Sequence, residues 1–176
     1  RRDLHNTTLS YVSDLVSNWT SPVKNGSQVS DAVRIYRKAL AAQKNHSVAI
    51  SSIGLMTNLE GLLKSKPDEI STLDGYDLVS QKVKVLAVMG GQYPSSNRTP
   101  ECNFCGGHPE GGVAAQVSSY VYSNWPPSVK LIFSGFEVGL QVRTGGPLST
   151  CASKGNPCRQ ALIDYGGIGY ARPSWD

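Results

Sequence analysis

The 176 residues are 39% hydrophobic and carry a formal net charge of +4, which suits a single folded domain over 1–176 with a real core and excludes a disordered chain. The positive charge is scattered. Its densest stretch, Arg34 to Lys38, is interrupted by Ile35 and Tyr36 as on one face of a helix, so no basic stripe points to nucleic acid, and no apolar run is long enough to span a bilayer.

In chain order, residues 1 to 28 are polar, with turn signals at Ser21-Pro22 and Asn25-Gly26 and one apolar patch from Tyr11 to Val16. Ser30 or Asp31 can cap a helix reaching about Gln43, with Val33, Tyr36, Ala39 and Leu40 along one face. Val48 to Ile53 reads as a buried strand stopped by Gly54, and Asn58 as the cap of a short helix through Leu59, Leu62 and Leu63 that ends before Pro67. Lys82 to Met89 is a second strand, broken by Gly90-Gly91. A loop rich in Gly, Pro and Cys leads to a helix over Val113 to Ser123, a third strand over Lys130 to Phe133, and a helix beginning near Glu137. The last thirty or so residues read as loop. Helices alternating with short apolar strands predict an α/β fold with a mostly parallel open sheet.

Asn-x-Ser/Thr sequons at Asn6, Asn18, Asn25, Asn45 and Asn97 point to a secreted, glycosylated chain. Four cysteines, Cys102, Cys105, Cys151 and Cys158, fit an oxidising compartment and a disulfide reading. Pairing Cys102 with Cys105 and Cys151 with Cys158 is the most local of three connectivities, and the spacing does not choose among them. Four thiolates could also hold zinc, but the wider second spacing and the sequons favour disulfides. The chain opens on Arg1-Arg2-Asp3 with no apolar leader behind it, so either processing has removed a leader or the chain begins partway through a longer one.

In an open α/β sheet, ligands sit beyond the carboxyl ends of the strands. That rule selects the loop Gly54 to Asn58 and the loop Gly90 to Phe104. Taken alone, the first is better read as a plain turn with Asn58 as helix cap. The second adds Met89, Asn97, Glu101 and Asn103 to two glycines. Asparagines offer both donor and acceptor and a glutamate accepts, which suits a polyhydroxylated ligand.

These segments resemble inosine-uridine-preferring nucleoside hydrolases. Ile53-Gly54-Leu55-Met56-Thr57-Asn58-Leu59 is similar to that family's Gly-Pro-Leu-Thr-Asn-Leu segment, and Val88-Met89-Gly90-Gly91 to its Met-Gly-Gly strand end. Asn97-Arg98-Thr99-Pro100 and Glu101-Cys102-Asn103-Phe104 resemble its Asn-x-Thr-Pro and Glu-Phe-Asn, and Arg172-Pro173-Ser174-Trp175-Asp176 its secreted-branch tail. The resemblance covers about Asp31 to Asp176. It implies calcium-dependent, inverting hydrolysis of the N-glycosidic bond of ribonucleosides by an ion-activated water. It further implies that the Ile53 carbonyl and Asp176 ligate calcium, that Met89, Asn97, Glu101 and Asn103 line the ribose, and that the chain assembles as a homo-oligomer.

The departures are equally specific. The family opens on an Asp-x-Asp-x-x-x-Asp-Asp loop that supplies calcium ligands and the general base. Here the acids before Gly54 are the isolated Asp3, Asp14 and Asp31. The catalytic base is therefore expected outside this chain, which reads as part of a longer protein with an edge or face of the sheet left bare. The alternative is a secreted glycoprotein that keeps the fold and has lost the chemistry. Asn97 cannot be both glycosylated and a ribose contact, and the contact is the preferred reading. His108 has two readings, a proton donor to the leaving base or a solvated loop residue, whereas His5 and His46 are assigned no role.

Overall fold

The computed structural model describes residues 11–94, 101–104 and 112–175. Asn6, Asn97, Cys105, His108 and Asp176 lie outside the described residues. The chain forms two compact units. A sheet unit runs over Val29–Val138 with the residues from Trp175 onward, and a helical unit joins residues up to Gln28 with Gly139–Ser174.

Helix α1 (Tyr11–Asn18) belongs to the helical unit, and α2 (Ala32–Ala41) opens the sheet unit. Asp31 caps α2 by accepting from the Arg34 N–H at 2.9 Å. Strand β1 (Val48–Ser52) is followed by α3 (Thr57–Lys64) and α4 (Gly75–Lys82), then β2 (Val83–Met89), α5 (Gly112–Ser123) and β3 (Lys130–Ser134). The three strands are parallel in the order β1-β2-β3. The fold is thus mixed α/β, with a three-stranded parallel sheet and flanking helices.

Alternation along the strands divides the sheet into two faces. Ile50, Leu86 and Leu131 share one register row, and Ile50 and Leu86 are buried in a core with Leu40, Leu62, Leu78 and Val121 from the helices. The next row, Ser51, Ala87 and Ile132, lies on the opposite face, where Ser51 is exposed and Ile132 is 46% exposed. Parallel sheets are usually covered on both faces. Among the described residues one face is covered by helices and the other is not, and β1 is half-buried where its composition predicts full burial.

Arg37 belongs to the scattered basic residues of α2, yet it does not face solvent. It is 2% exposed. Its guanidinium donates to both carboxylate oxygens of Asp68 at 2.9 and 2.8 Å, to Ser65 Oγ, and to the carbonyls of Ser71 and Leu73. Each of the three guanidinium nitrogens is thereby directed to at least one oxygen, which is how a charge tolerates burial. Asp68 Oδ1 also accepts the N–H groups of Ile70 and Ser71. Hydrogen bonding from Arg37, reinforced by these amides, holds the Asp68 carboxyl down at about 2 against the ordinary 3.8. Ala39, by contrast, faces solvent.

Two further expectations change. Met56, not Asn58, occupies the N-cap position of α3 and makes no side-chain cap bond, while Asn58 lies in the helix's first turn and is exposed. Gly75, the first residue of α4, sits so close to α3 that a Cβ there would fall 1.6 Å from the Leu62 carbonyl oxygen. A side chain cannot fit without moving backbone.

In the helical unit, α1 packs on α8 (Pro157–Gly166), and α8 packs on α7 (Gly146–Cys151). Helix α6 (Phe136–Gln141) begins in the sheet unit and ends in this one. Strands β4 (Arg143–Thr144) and β5 (Arg172–Pro173) form a short antiparallel ribbon. The tail expected as loop is therefore largely helical. Asn156 caps α8 by accepting from the N–H groups of Cys158 and Arg159, and Pro157 follows at the first helical position. Ser149, fully buried, donates to the Gly146 carbonyl and accepts from the Gly169 N–H. Cys151 and Cys158 are exposed thiols, not a disulfide. The sequon residues Asn18, Asn25 and Asn45 are all exposed.

Candidate functional site

Strand β2 ends at Met89, which is 8% exposed, and passes into Gly90 and Gly91. Gly91 has φ +72, a conformation that glycine adopts without strain. The Gly90 N–H donates to the Ser134 carbonyl, and the Phe136 N–H donates to the Gly91 carbonyl, so the turn is fastened to the end of β3 on both sides. A Cβ on Gly90 would lie 2.4 Å from the Phe104 ring. The glycine pair is therefore needed for the turn and for the close approach of the returning loop.

That loop is held by Glu101. Its Oε2 accepts from the Gly91 N–H at 2.8 Å and the Phe104 N–H at 3.2 Å, and its Oε1 accepts from the Asn103 N–H. Glu101 is 8% exposed. Burying a carboxylate is costly unless its oxygens are satisfied, and here three backbone donors satisfy it. Asn103 then donates through Nδ2 to the Met89 carbonyl at 2.9 Å and lies 3.3 Å from Met89 Sδ. Met89, Glu101 and Asn103, singled out together in the sequence as ligand contacts, are thus bonded to one another in one assembly.

Behind the assembly, Phe104 meets Tyr122 edge-on with ring centroids 5.2 Å apart, and Tyr122 packs on Phe133 at 5.4 Å. Burial, then the neighbouring Tyr93 and the Glu101 charge, push the Tyr122 hydroxyl far above its ordinary value, so it stays protonated. Tyr93 is raised in the same direction, by burial and then by Glu137 and Glu101. The Tyr93 N–H donates to Glu137 Oε2 at 3.0 Å.

Beside Met89, at the carboxyl ends of the strands and on the open face, lies a cleft of about 230 Å³. Ile53 and Met89 line it, as do Ser51, Ser134 and Trp175. Trp175 is fixed by a bond from its indole Nε1 to the Phe136 carbonyl at 2.9 Å and by stacking on the Phe136 ring at 5.3 Å and 22°. The cleft therefore combines an aromatic wall, a thioether and two serines. This is an arrangement for a ligand with a flat or apolar part and hydroxyl groups.

Of the sequence-derived candidates, Ile53 and Met89 reach the cleft, Glu101 and Asn103 build the loop beside it, and Asn97 and Asp176 lie outside the described residues. Ser51 and Ser134 were not anticipated. Both fall on the open-face parity of their strands, but Ser52 beside Ser51 and Lys130 at the start of β3 obscure any alternation that could have marked them in the sequence. No carboxylate is among the described lining residues, and no group of three or more His, Cys, Asp or Glu residues capable of holding a metal occurs among the described residues. Calcium takes roughly six to eight oxygens, so these residues do not by themselves fit the ion, and no chemical step is assigned through it.

Comparison with protein-family models, with curated proteins and with solved structures finds no match to this chain.

Proposed function

We propose that the chain acts on ribonucleosides, binding them in the cleft at the strand ends for hydrolysis of the N-glycosidic bond to ribose and free base. The observation that carries this reading is the convergence of Ile53 and Met89 on one cleft with Ser51, Ser134 and the stacked Trp175. The serines suit the sugar hydroxyls, and the indole suits a planar base. The resemblance to nucleoside hydrolases adds the reaction class, calcium as the ion, a nucleoside hydrolase-like fold, and secretion with glycans on exposed sequons.

A second reading is favoured by the state of Glu101. Its carboxylate is taken up by three backbone donors, as in a glycoprotein that retains the fold in a non-catalytic, structural or interaction role. One experiment separates the two. Base release from a panel of ribonucleosides is followed with calcium and with a chelator, and nucleoside binding is measured in parallel by calorimetry. Chelator-sensitive release supports the hydrolase. Binding without release supports the non-catalytic reading, and absence of both removes the nucleoside from either.

A further inference from the structure

The helical unit holds a cavity of its own, about 450 Å³, within the roughly 300–1,000 Å³ range of small-molecule sites. Leu148 of α7 and Leu162 and Tyr165 of α8 make its walls apolar. Its polar side chains are the Thr144 hydroxyl, the Cys158 thiol, the phenols of Tyr11 and Tyr165, and the Arg172 guanidinium, which is the one charged group, with no carboxylate among the lining residues. Arg172 is exposed, and among the described residues it forms no ion pair.

The cation is nonetheless positioned. Its backbone is tied to Thr144 across the β4-β5 ribbon, and its guanidinium carbon lies 5.2 Å from the centroid of the Tyr165 ring. Stacking on an aromatic face constrains a guanidinium while leaving its N–H edges for an anion. An apolar chamber with one oriented cation complements an apolar body that ends in a single negative charge. A dianion such as a phosphate ester would call for more than one such group.

We propose that this cavity binds a small amphipathic monocarboxylate, with its aromatic or branched body between Leu148 and Leu162 and its carboxylate on Arg172. The site is distinct in residues and chemistry from the cleft assigned to nucleosides. Calorimetric titration of the whole chain with 4-phenylbutyrate and with the neutral 4-phenylbutanamide tests it. The acid should bind saturably at one site, with the amide about tenfold weaker, as a charge-assisted hydrogen bond implies. Arg172→Gln should erase the preference for the acid, and Leu148→Trp, which fills the chamber, should weaken both probes. Equal affinity of acid and amide for the unaltered chain, or no saturable binding, overturns the proposal without reliance on any variant folding. A preference for the acid that survives in Arg172→Gln overturns it too.

Discussion

The sheet unit and the helical unit are held together by different means. Among the described residues, the buried core runs from Leu40 to Val129 and lies wholly in the sheet unit. In the helical unit neither α1 nor α8 has a buried residue, and order comes from hydrogen bonds such as those of Ser149, the Asn156 cap and the Trp19 indole to the Gly155 carbonyl. Apolar burial contributes about 25 cal/mol per Å², whereas a typical hydrogen bond nets about 1 kcal/mol. Stability is therefore concentrated in the sheet unit, and the helical unit is the part expected to open first.

The comparison is tested most severely by paired truncations. Leu62→Ala, at a residue with no exposure, should cost about 2–5 kcal/mol in urea unfolding. Leu162→Ala in the half-buried wall of α8 should cost about 1 kcal/mol, because less area is lost and the site is open to water. Equal costs would end the distinction. Next in size, Arg37→Met should cost about 3 kcal/mol, since it strands the carbonyls and carboxylate that converge on the guanidinium.

Asp68 gives the same staple a pH signature. Its folded-state pKa is depressed to about 2 from 3.8, so its contribution is complete above the ordinary value and is lost as pH falls through this window. Unfolding midpoints measured from pH 5 to pH 2 should fall more steeply in the unaltered chain than in Asp68→Asn. Parallel curves would refute the assignment. Gly90→Ala, which places a methyl against Phe104, should cost about 1–3 kcal/mol and weaken the proposed nucleoside binding by displacing the loop. Asp31→Ala should cost about 1 kcal/mol from the lost cap of α2, as little as Leu162→Ala, measurable by thermal unfolding.

The strands were readable from sequence because each is a short apolar run bounded by a break, as at Met89 before Gly90-Gly91. Helix α4 was not. Its only buried apolar side chains are Leu78 and Val79, too few to set a period, although the Asp74 side chain accepts from the Asp77 N–H as a cap. Helix α8 was missed because the turn signals Gly145-Gly146-Pro147 and Gly166-Gly167 on either side were read as a continuous loop, while the Asn156-Pro157 start signal was present. In the site, motif order found Met89, Glu101 and Asn103, but their division of labour depends on which atoms meet across ten or more residues of chain. The burial of Arg37 is legible only once Asp68 and Ser65 are brought to it, since the helix pattern alone places it among solvated charges.

The spent carboxylate of Glu101 also affects how any mutational survey of this loop is interpreted. Replacing it by Ala would release the Gly91, Asn103 and Phe104 amides together, and with them the strap that seats Asn103 on Met89. Under the proposed hydrolase function turnover would collapse, and a survey scored on turnover alone would enrol Glu101 as a chemical participant. Glu101→Gln separates the roles, because its one remaining carbonyl oxygen can still take amide donors. A variant that keeps partial ligand affinity would identify Glu101 as masonry, and the reacting groups would have to be sought elsewhere around the cleft.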